Sequence, residues 1–538
     1  MPLAPIRYAS MIASKAAPPA PETGSRIPAL RARLAPAVPG SEFWGWAGPL
    51  LVTAFGAFLR FDRLSVPRKI IFDETYYVPD AYGILRHGVE QNYVSDRNSL
   101  IAQGHTNIFT AGGEFVVHPP LGKLFIAAGE WVFGLTPFGW RFSVALIGSL
   151  AILLLARIAR RMTRSTLLGC VAGLLLSLDG LEFVMSRTAL LDIFLMFWVL
   201  AAFGCLVVDR DVSRARLAEW VAQHPGDERA RLGFRWWRLG AGICLGLACA
   251  SKWDAIWSVI AFAALTFAWD IGARRAAGFG SYWRGALADD GRWLPVSFVL
   301  APAAVYVASW TGWFATSDGW DRNWAAQNGI NTPVISTLAS WLEYQKQMLS
   351  FHLGLTTHHP YQSQPWDWLV LSRPVAFSWQ CPAGYPEGSH PTIACAASKS
   401  QEVLAIGTPM IWWASIATLL VCLGWWLTRR DWRAGAVLLA VAASWLPWFW
   451  FAAHDHRTEF YFYAVAFDPY LVLSITLCLG LIIGSAKASA ARRAVGAAIS
   501  GAYVLGVLLN FAYLYPILAG SIIPYTSWLS RMWYHGWI

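Results

Sequence analysis

Charge is scarce in this chain. Asp, Glu, Lys and Arg together make up 14% of 538 residues, where a soluble globular protein carries about 25%. A glycine-rich loop of the Walker type is missing, so no cradle for nucleotide phosphates can be named. No internal repeat is evident, and no apolar core with a cleavage site follows the positive charges near the N-terminus. Residues 1–43, rich in Ala, Pro and Arg, therefore predict a disordered cytoplasmic tail and not a signal peptide. What the chain has instead is apolar surface, with 56% hydrophobic residues and a mean hydropathy of +0.42. This excludes a disordered protein, a collagen, a coiled coil and an ordinary cytosolic enzyme, and predicts an all-α polytopic membrane protein. The 32 Trp and 29 Phe fit, because aromatic rings gather at membrane–water interfaces. The net charge of +10 then reports cytoplasmic loop composition and calls for no nucleic-acid partner.

Eleven apolar stretches are expected to span, at about 44–61, 139–161, 165–180, 187–208, 236–251, 253–272, 293–314, 404–427, 433–453, 459–484 and 493–515. With the N-terminus inside, 26 of the 42 Lys and Arg residues fall on inner segments and 16 on outer ones, which predicts an N-in, C-out topology. An even span count would break the alternation of the Arg clusters. Two long segments, 62–138 and 315–403, then lie outside. They divide the chain into the tail 1–43, a transmembrane half 44–314, the second outer loop 315–403 and a C-terminal transmembrane half 404–538. Every His except His224 falls outside, so any chemistry is expected on the extracytoplasmic face of the plasma membrane. Residues 121–134 are apolar but too short to span. Lys123, Ala127 and Glu130 would share one face of a helix there, either lying in the interface or re-entering as a buried segment. Six of the eight Cys sit in apolar spans; Cys381 and Cys395 share the second outer loop. An oxidising compartment permits a bridge between them, worth about 3 kcal/mol in the chain-entropy model, and the bridge is preferred here over two free thiols.

Several segments carry residues suited to chemistry. Asp73 and Glu74 adjoin Pro79, Asp80, Arg86, His87 and Gly88, an order that suits a short helix beginning near Pro79 and stopping at Gly88. The acid pair reads either as a solvated loop or as a general base for a hydroxyl. His118-Pro119-Pro120 leads to Lys123, and Trp140-Arg141 opens the second span; both cations suit a lipid phosphate or ordinary snorkelling. Asp179, Glu182, Arg187 and Asp192 surround the fourth span, with Arg187 and Asp192 open to a structural ion pair. Lys252-Trp253-Asp254, His358-His359-Pro360-Tyr361 and Trp366-Asp367-Trp368 suit a sugar-binding wall or an aromatic belt. His454-Asp455-His456 has two metal-ligand types, but no third or fourth ligand at fixed spacing.

Taken together, the chain resembles the protein O-mannosyltransferases, polytopic enzymes of the GT-C glycosyltransferase class. The resemblance is carried by FDETYYVPDAY at 72–82, VHPPLGK at 117–123, LDGLEFVMSRTALLDIF at 178–194, SKWDAIW at 251–257 and HHPYQSQPWDW at 358–368, in order. FYFYAVAFDPY at 460–470 matches the bacterial pattern more loosely. The second outer loop has no room for the β-trefoil domain of eukaryotic members. The resemblance implies a polyprenyl-phosphate-mannose donor held in the membrane, and inverting transfer to Ser or Thr hydroxyls of proteins, which can be met at the translocon. It implies no cofactor and no metal. By motif, Asp73 would be the catalytic base and Glu74 would order the site. Arg141 would hold the donor phosphate with help from Lys123. His118, Arg187, Asp192, Lys252, Asp254, His358, His359 and Trp366 would bind substrate.

Two other readings compete. A GT-C enzyme of the same fold could move another lipid-linked sugar, such as aminoarabinose, onto a lipid acceptor. A transporter would need charges within spans and inverted halves with broken helices; the prominent acids lie in loops instead.

Overall fold

The computed structural model describes residues 30–381, 399–485 and 487–538. Each of the eleven expected apolar stretches contains helix. In chain order, α1 is Glu42–Phe61, α2 Glu74–His87, α3 Leu121–Phe133, α4 Pro137–Thr163, α5 Thr166–Ser177, α6 Gly180–Met185, α7 Asp192–Gln223, α8 Trp236–Ser251 and α9 Ile256–Ala277. After an irregular helix over Tyr282–Ser309 (α10) come α11 Pro333–Gly354, α12 Pro409–Arg429, α13 Trp432–Trp450, α14 Asp468–Ile483 and α15 Ala490–Leu518. Seven helical segments among the described residues are long and apolar enough to cross a bilayer. They contain α4, α7, α9, α10, α12, α13 and α15. The four others, α1, α5, α8 and α14, are shorter or less apolar.

The first long segment, 62–138, is ordered by its own chemistry. Helix α2 starts at Glu74, five residues before the expected Pro79, and stops at Gly88, whose φ of +84° suits glycine. Pro79 inside the helix has no N–H for the carbonyl of Thr75. Arg97 Nε donates to that carbonyl at 3.3 Å instead, so the proline is accommodated by a side chain from the next short helix. Strands β1 (Gln91–Tyr93) and β2 (Phe109–Gly113) pair antiparallel behind it. Helix α3 buries Lys123, Ile126, Ala127 and Glu130 and exposes Leu124, Trp131 and Val132. Its charged face points into the protein and its apolar face outwards, the pattern of a helix whose surroundings are lipid.

In the second long segment, 315–403, α11 precedes β3 (Val375–Gln380). This strand pairs with β4 (Lys399–Ala405), and β4 with β5 (Ile522–Pro524) near the C-terminus. Cys381 takes part in a disulfide, but Cys395 lies outside the described residues, as does most of the tail 1–43. At the opposite end of the helices, Arg235, Arg238 and Arg274 interlock with Asp209, Asp270 and Asp290; Arg238 reaches Asp270 at 2.6 Å and Arg274 reaches Asp290 at 2.8 Å. This buried network ties α7, α8, α9 and α10 together. Its members are far apart in the sequence, so only the fold brings them together.

Candidate active site

One end of the bundle gathers groups from six places in the chain. Asp73 sits in the turn before α2 and His118 in the turn before α3. Asp192 opens α7. Lys252 and Asp254 flank Trp253 between α8 and α9, and His352 lies near the end of α11. Arg457 and Tyr463 come from the segment that leads into α14. A cavity of about 230 Å³ lies here, lined by His118, Lys252, Asp254, His352 and Arg457, with Trp253 and Trp448 as walls. Lys252 Nζ donates to Asp192 Oδ1 at 2.6 Å and stands 4.2 Å from the Tyr463 ring centroid. His352 Nε2 is 2.7 Å from the Val117 carbonyl oxygen, and its ring lies 5.1 Å from that of His118. Burial pushes His118 well below the usual histidine range, and it pushes His352 down to about 4 against the raising effect of the Val117 carbonyl. Both rings are therefore neutral near pH 7.

The acid pair divides. Glu74 is fully buried and its two oxygens are filled: Arg141 donates to both, at 2.7 and 2.8 Å, and the backbone N–H groups of Ala189 and Ile71 add one bond each at 3.1 Å. Asp73 accepts no hydrogen bond from a described side chain. It lies beside Asp192 and Lys252. Burial pushes its carboxyl up to about 7; the Asp192 carboxylate adds to the rise and the Lys252 ammonium opposes it. Phe72, just before it, has a φ of +47°, a left-handed conformation uncommon outside glycine. Its ring is clamped by Phe377, stacked at 4.4 Å, and by Phe462, edge-on at 5.4 Å. A free carboxylate on a turn held from both sides, with a pKa near neutrality, is suited to taking a proton.

Arg141 is placed differently from its expected role. Its five N–H donors have five acceptors: two on Glu74 and the carbonyls of Leu64 (3.3 Å), Pro67 (2.8 Å) and Lys69 (2.9 Å), with no exposure. None is left for a phosphate, so the side chain anchors the turn that carries Asp73. Lys123 is also turned away from any head group. It is buried with Glu90, its ion-pair partner, and Asp80 at 3.8 Å, close to Glu114, because α3 buries its charged face. Arg187 donates to the carbonyls of Leu59, Arg60, Asp62 and Arg63 at 2.6–3.1 Å, closing the C-terminal end of α1. It does not pair with Asp192, whose partner is Lys252. His358 is exposed, His359 accepts from the Tyr361 N–H at 3.1 Å, and Trp366 is 54% exposed beside Phe449. None of these three lines the cavity. Asp179 caps α6 and accepts from Trp412 at 2.8 Å. Among the described residues no group of three or more His, Cys, Asp and Glu side chains is arranged to hold a metal, and His454 stacks on Trp450 at 3.7 Å.

Of the substrate-binding residues expected from sequence, His118, Lys252 and Asp254 line the cavity, and Asp192 adjoins it through its bond to Lys252. His352 and Arg457 also line it, with Tyr463 against Lys252, and none of the three was assigned a role from sequence. Arg457 closes the His454-Asp455-His456 run, whose residue types suggest a metal-ligand set. It donates to the His352 and Thr458 carbonyls at 3.2 and 3.4 Å and has no carboxylate partner within 4 Å among the described residues. A cation there, on the wall of a cavity, was a signal for an anion. A second groove of about 670 Å³ shares Trp253 and Ile256 with this cavity and runs between α9 and α10 over Val259, Ile260, Phe298, Val299 and Pro302.

Two family models match the chain. One, described as dolichyl-phosphate-mannose-protein mannosyltransferase, covers residues 130–287; the other, the C-terminal four-TMM region of protein-O-mannosyltransferase, covers 337–537. A polyprenol-phosphate-mannose–protein mannosyltransferase of Mycolicibacterium smegmatis is 39% identical over 527 residues, which is 93% of this chain and 96% of that protein. Its counterpart in Corynebacterium glutamicum is 33% identical over 513 residues, 92% of this chain and 94% of that protein. Among solved structures, the Saccharomyces cerevisiae protein O-mannosyltransferase Pmt1-Pmt2 complex bound to the sugar donor superposes with a TM-score of 0.70. The match covers 96% of this chain and 94% of the other at 13% identity, and so shows a shared fold.

Proposed function

The chain belongs to the polyprenol-phosphate-mannose–protein mannosyltransferase family, and on that premise we propose that it transfers mannose from a polyprenyl-phosphate-mannose donor to Ser and Thr hydroxyls of proteins, with Asp73 as the base. The observation that carries this reading is the division of the acid pair: Glu74 is saturated with hydrogen bonds, while Asp73 is free beside Lys252 and Asp192. The acceptor oxygen attacks the anomeric carbon from the side opposite the phosphate. The carbon–oxygen bond to phosphate breaks with inversion, the bonding pair leaves with the phosphate, and the hydroxyl proton passes to Asp73. Charge grows on the departing phosphate, so a fixed cation beside it gains most in the transition state.

Arg457, with Lys252 behind it, takes over the phosphate role expected of Arg141. The groove over Val259, Ile260 and Val299 suits the first isoprene units, because it is apolar and continuous with the cavity. The relatives that match most of the chain are named for a protein acceptor, which favours this reaction over transfer of another sugar to lipid. Membranes supplied with polyprenyl-phosphate-[¹⁴C]mannose and a Ser/Thr-rich peptide are expected to label the peptide; label in lipid alone would reject the reading. In the same assay Arg457→Ala is expected to weaken use of the donor by about 1.5–3 kcal/mol, roughly ten- to a hundredfold in kcat/KM, with the melting temperature little changed. Unaltered donor kinetics would remove Arg457 from the phosphate site.

The protein is a multi-pass membrane protein. The finer arrangement, eleven spans with the N-terminus inside and the cavity beside Asp73 on the extracytoplasmic face, rests on the distribution of Lys and Arg. A reporter that is active only in the cytoplasm, fused after Ile538, is expected to be silent; activity there would reverse the topology.

A further inference from the structure

At the end of the helices opposite Asp73 lies a vestibule of about 1440 Å³. Along α7, Arg210 stands eighteen residues beyond Asp192, about 27 Å at the helical rise, close to the thickness of a hydrocarbon core. Seven arginines converge on it: Arg33 before α1, Arg164 after α4, Arg210 and Arg214 of α7, and Arg429, Arg430 and Arg433 around the turn between α12 and α13. Asp431 is the one acid among its lining residues, and Arg433 occupies it at 2.8 Å. The walls between the arginines are apolar, with Leu265, Trp269, Leu438 and Leu439.

Arginine at an inner helix end needs no ligand when it reaches into water. These arginines do not all do so. Arg210 is 7% exposed, held flat on Trp432 with its guanidinium carbon 3.7 Å from the ring centroid, and its buried Nε has no hydrogen-bond partner. Its ion-pair partner, Asp211 at 3.4 Å, is shared with Arg161 at 3.0 Å. The buried Nε of Arg214 is likewise without a partner. Buried guanidinium donors left unmatched in a concave site favour an anion with several acceptor oxygens. Apolar walls at the level of the membrane surface favour one that carries a hydrocarbon chain.

We propose that this vestibule binds the phosphate head group of an anionic lipid, with the chain laid against Leu265, Leu438 and Leu439. Basic pockets between transmembrane helices at the cytoplasmic surface recognise such head groups. Two sources share this chemistry, a bulk anionic phospholipid and a polyprenyl phosphate. Neither requires the mannosyl-transfer reading, since the site stands on its own residues.

The test is native mass spectrometry of the purified full chain with cardiolipin, phosphatidylglycerol, undecaprenyl phosphate or phosphatidylethanolamine. The wild type is expected to retain an anionic lipid in preference to phosphatidylethanolamine. R214Q/R429Q/R430Q is expected to weaken that retention on the order of a hundredfold, and the corresponding triple Lys variant to keep most of it. Arg429 and Arg430 are exposed and Arg214 has no ion pair among the described residues, so these variants remain foldable; an unchanged melting temperature without lipid checks this. Preference for cardiolipin or phosphatidylglycerol identifies bulk lipid. Loss of a second bound undecaprenyl phosphate in the Gln variant identifies the carrier, whose first copy belongs to the cavity at Lys252 and Arg457. Equal retention of phosphatidylethanolamine, no retained lipid, or anionic-lipid retention unchanged in the Gln variant would each overturn the proposal.

Discussion

Asp73→Asn is expected to lower kcat by about 10²–10⁴, the usual effect of removing a general base. A Ser or Thr hydroxyl is a weak nucleophile at neutral pH, and the amide keeps the shape of the carboxylate without its ability to take the proton. Donor affinity and melting temperature are expected to hold, because the phosphate is assigned to Arg457 and the Asp73 carboxylate accepts no hydrogen bond from a described side chain. The wild-type pH profile gives an independent reading. Burial and Asp192 push the Asp73 carboxyl up to about 7, and the working form is the deprotonated one. The kcat/KM is therefore expected to fall about tenfold per pH unit below that value, and to level off above it. In the Asn variant this limb should vanish. A folded Asp73→Asn enzyme with near wild-type turnover and an unchanged acid limb would move the base to another group of the cavity.

The second large effect is on stability. Arg141→Ala leaves Glu74 buried without its cation and removes the donors from three carbonyls of the Leu64–Lys69 turn. Breaking a buried ion pair from one side costs about 3–5 kcal/mol. The variant is therefore expected to melt well below the wild type or to fail to accumulate, with activity lost in proportion to folded protein. Arg141→Lys keeps the charge but cannot fill both Glu74 oxygens and three carbonyls at once, so it is expected to recover only part of the loss. A well-folded Arg141→Ala protein with a normal melting temperature and poor donor use would restore the phosphate role expected from sequence. Asp73 and Arg141 thus separate by assay: one variant is stable and inactive, the other unstable.

The sequence by itself determined the helical membrane architecture. Hydrophobic runs broken by Arg clusters can be read without contacts, because a membrane span is a local property of about 20 consecutive residues. It also singled out the motif segments, and within them His118, Lys252 and Asp254 line one cavity, with Asp73 and Asp192 beside Lys252. What it could not decide is which member of each polar cluster faces the cavity. Asp73 and Glu74 are adjacent and chemically alike. Only the turn at Phe72, clamped by Phe377 and Phe462 from remote segments, directs one inward and leaves the other for Arg141. Arg141, Arg187 and Lys123 carry the charge that a phosphate needs, but carbonyls and acids distant in sequence consume their donors. Arg457 has the opposite history: its short run suggests a metal ligand set, and tertiary packing turns it into the unpaired cation of the cavity. Charge is written residue by residue, whereas the availability of that charge depends on partners that only the folded chain brings together.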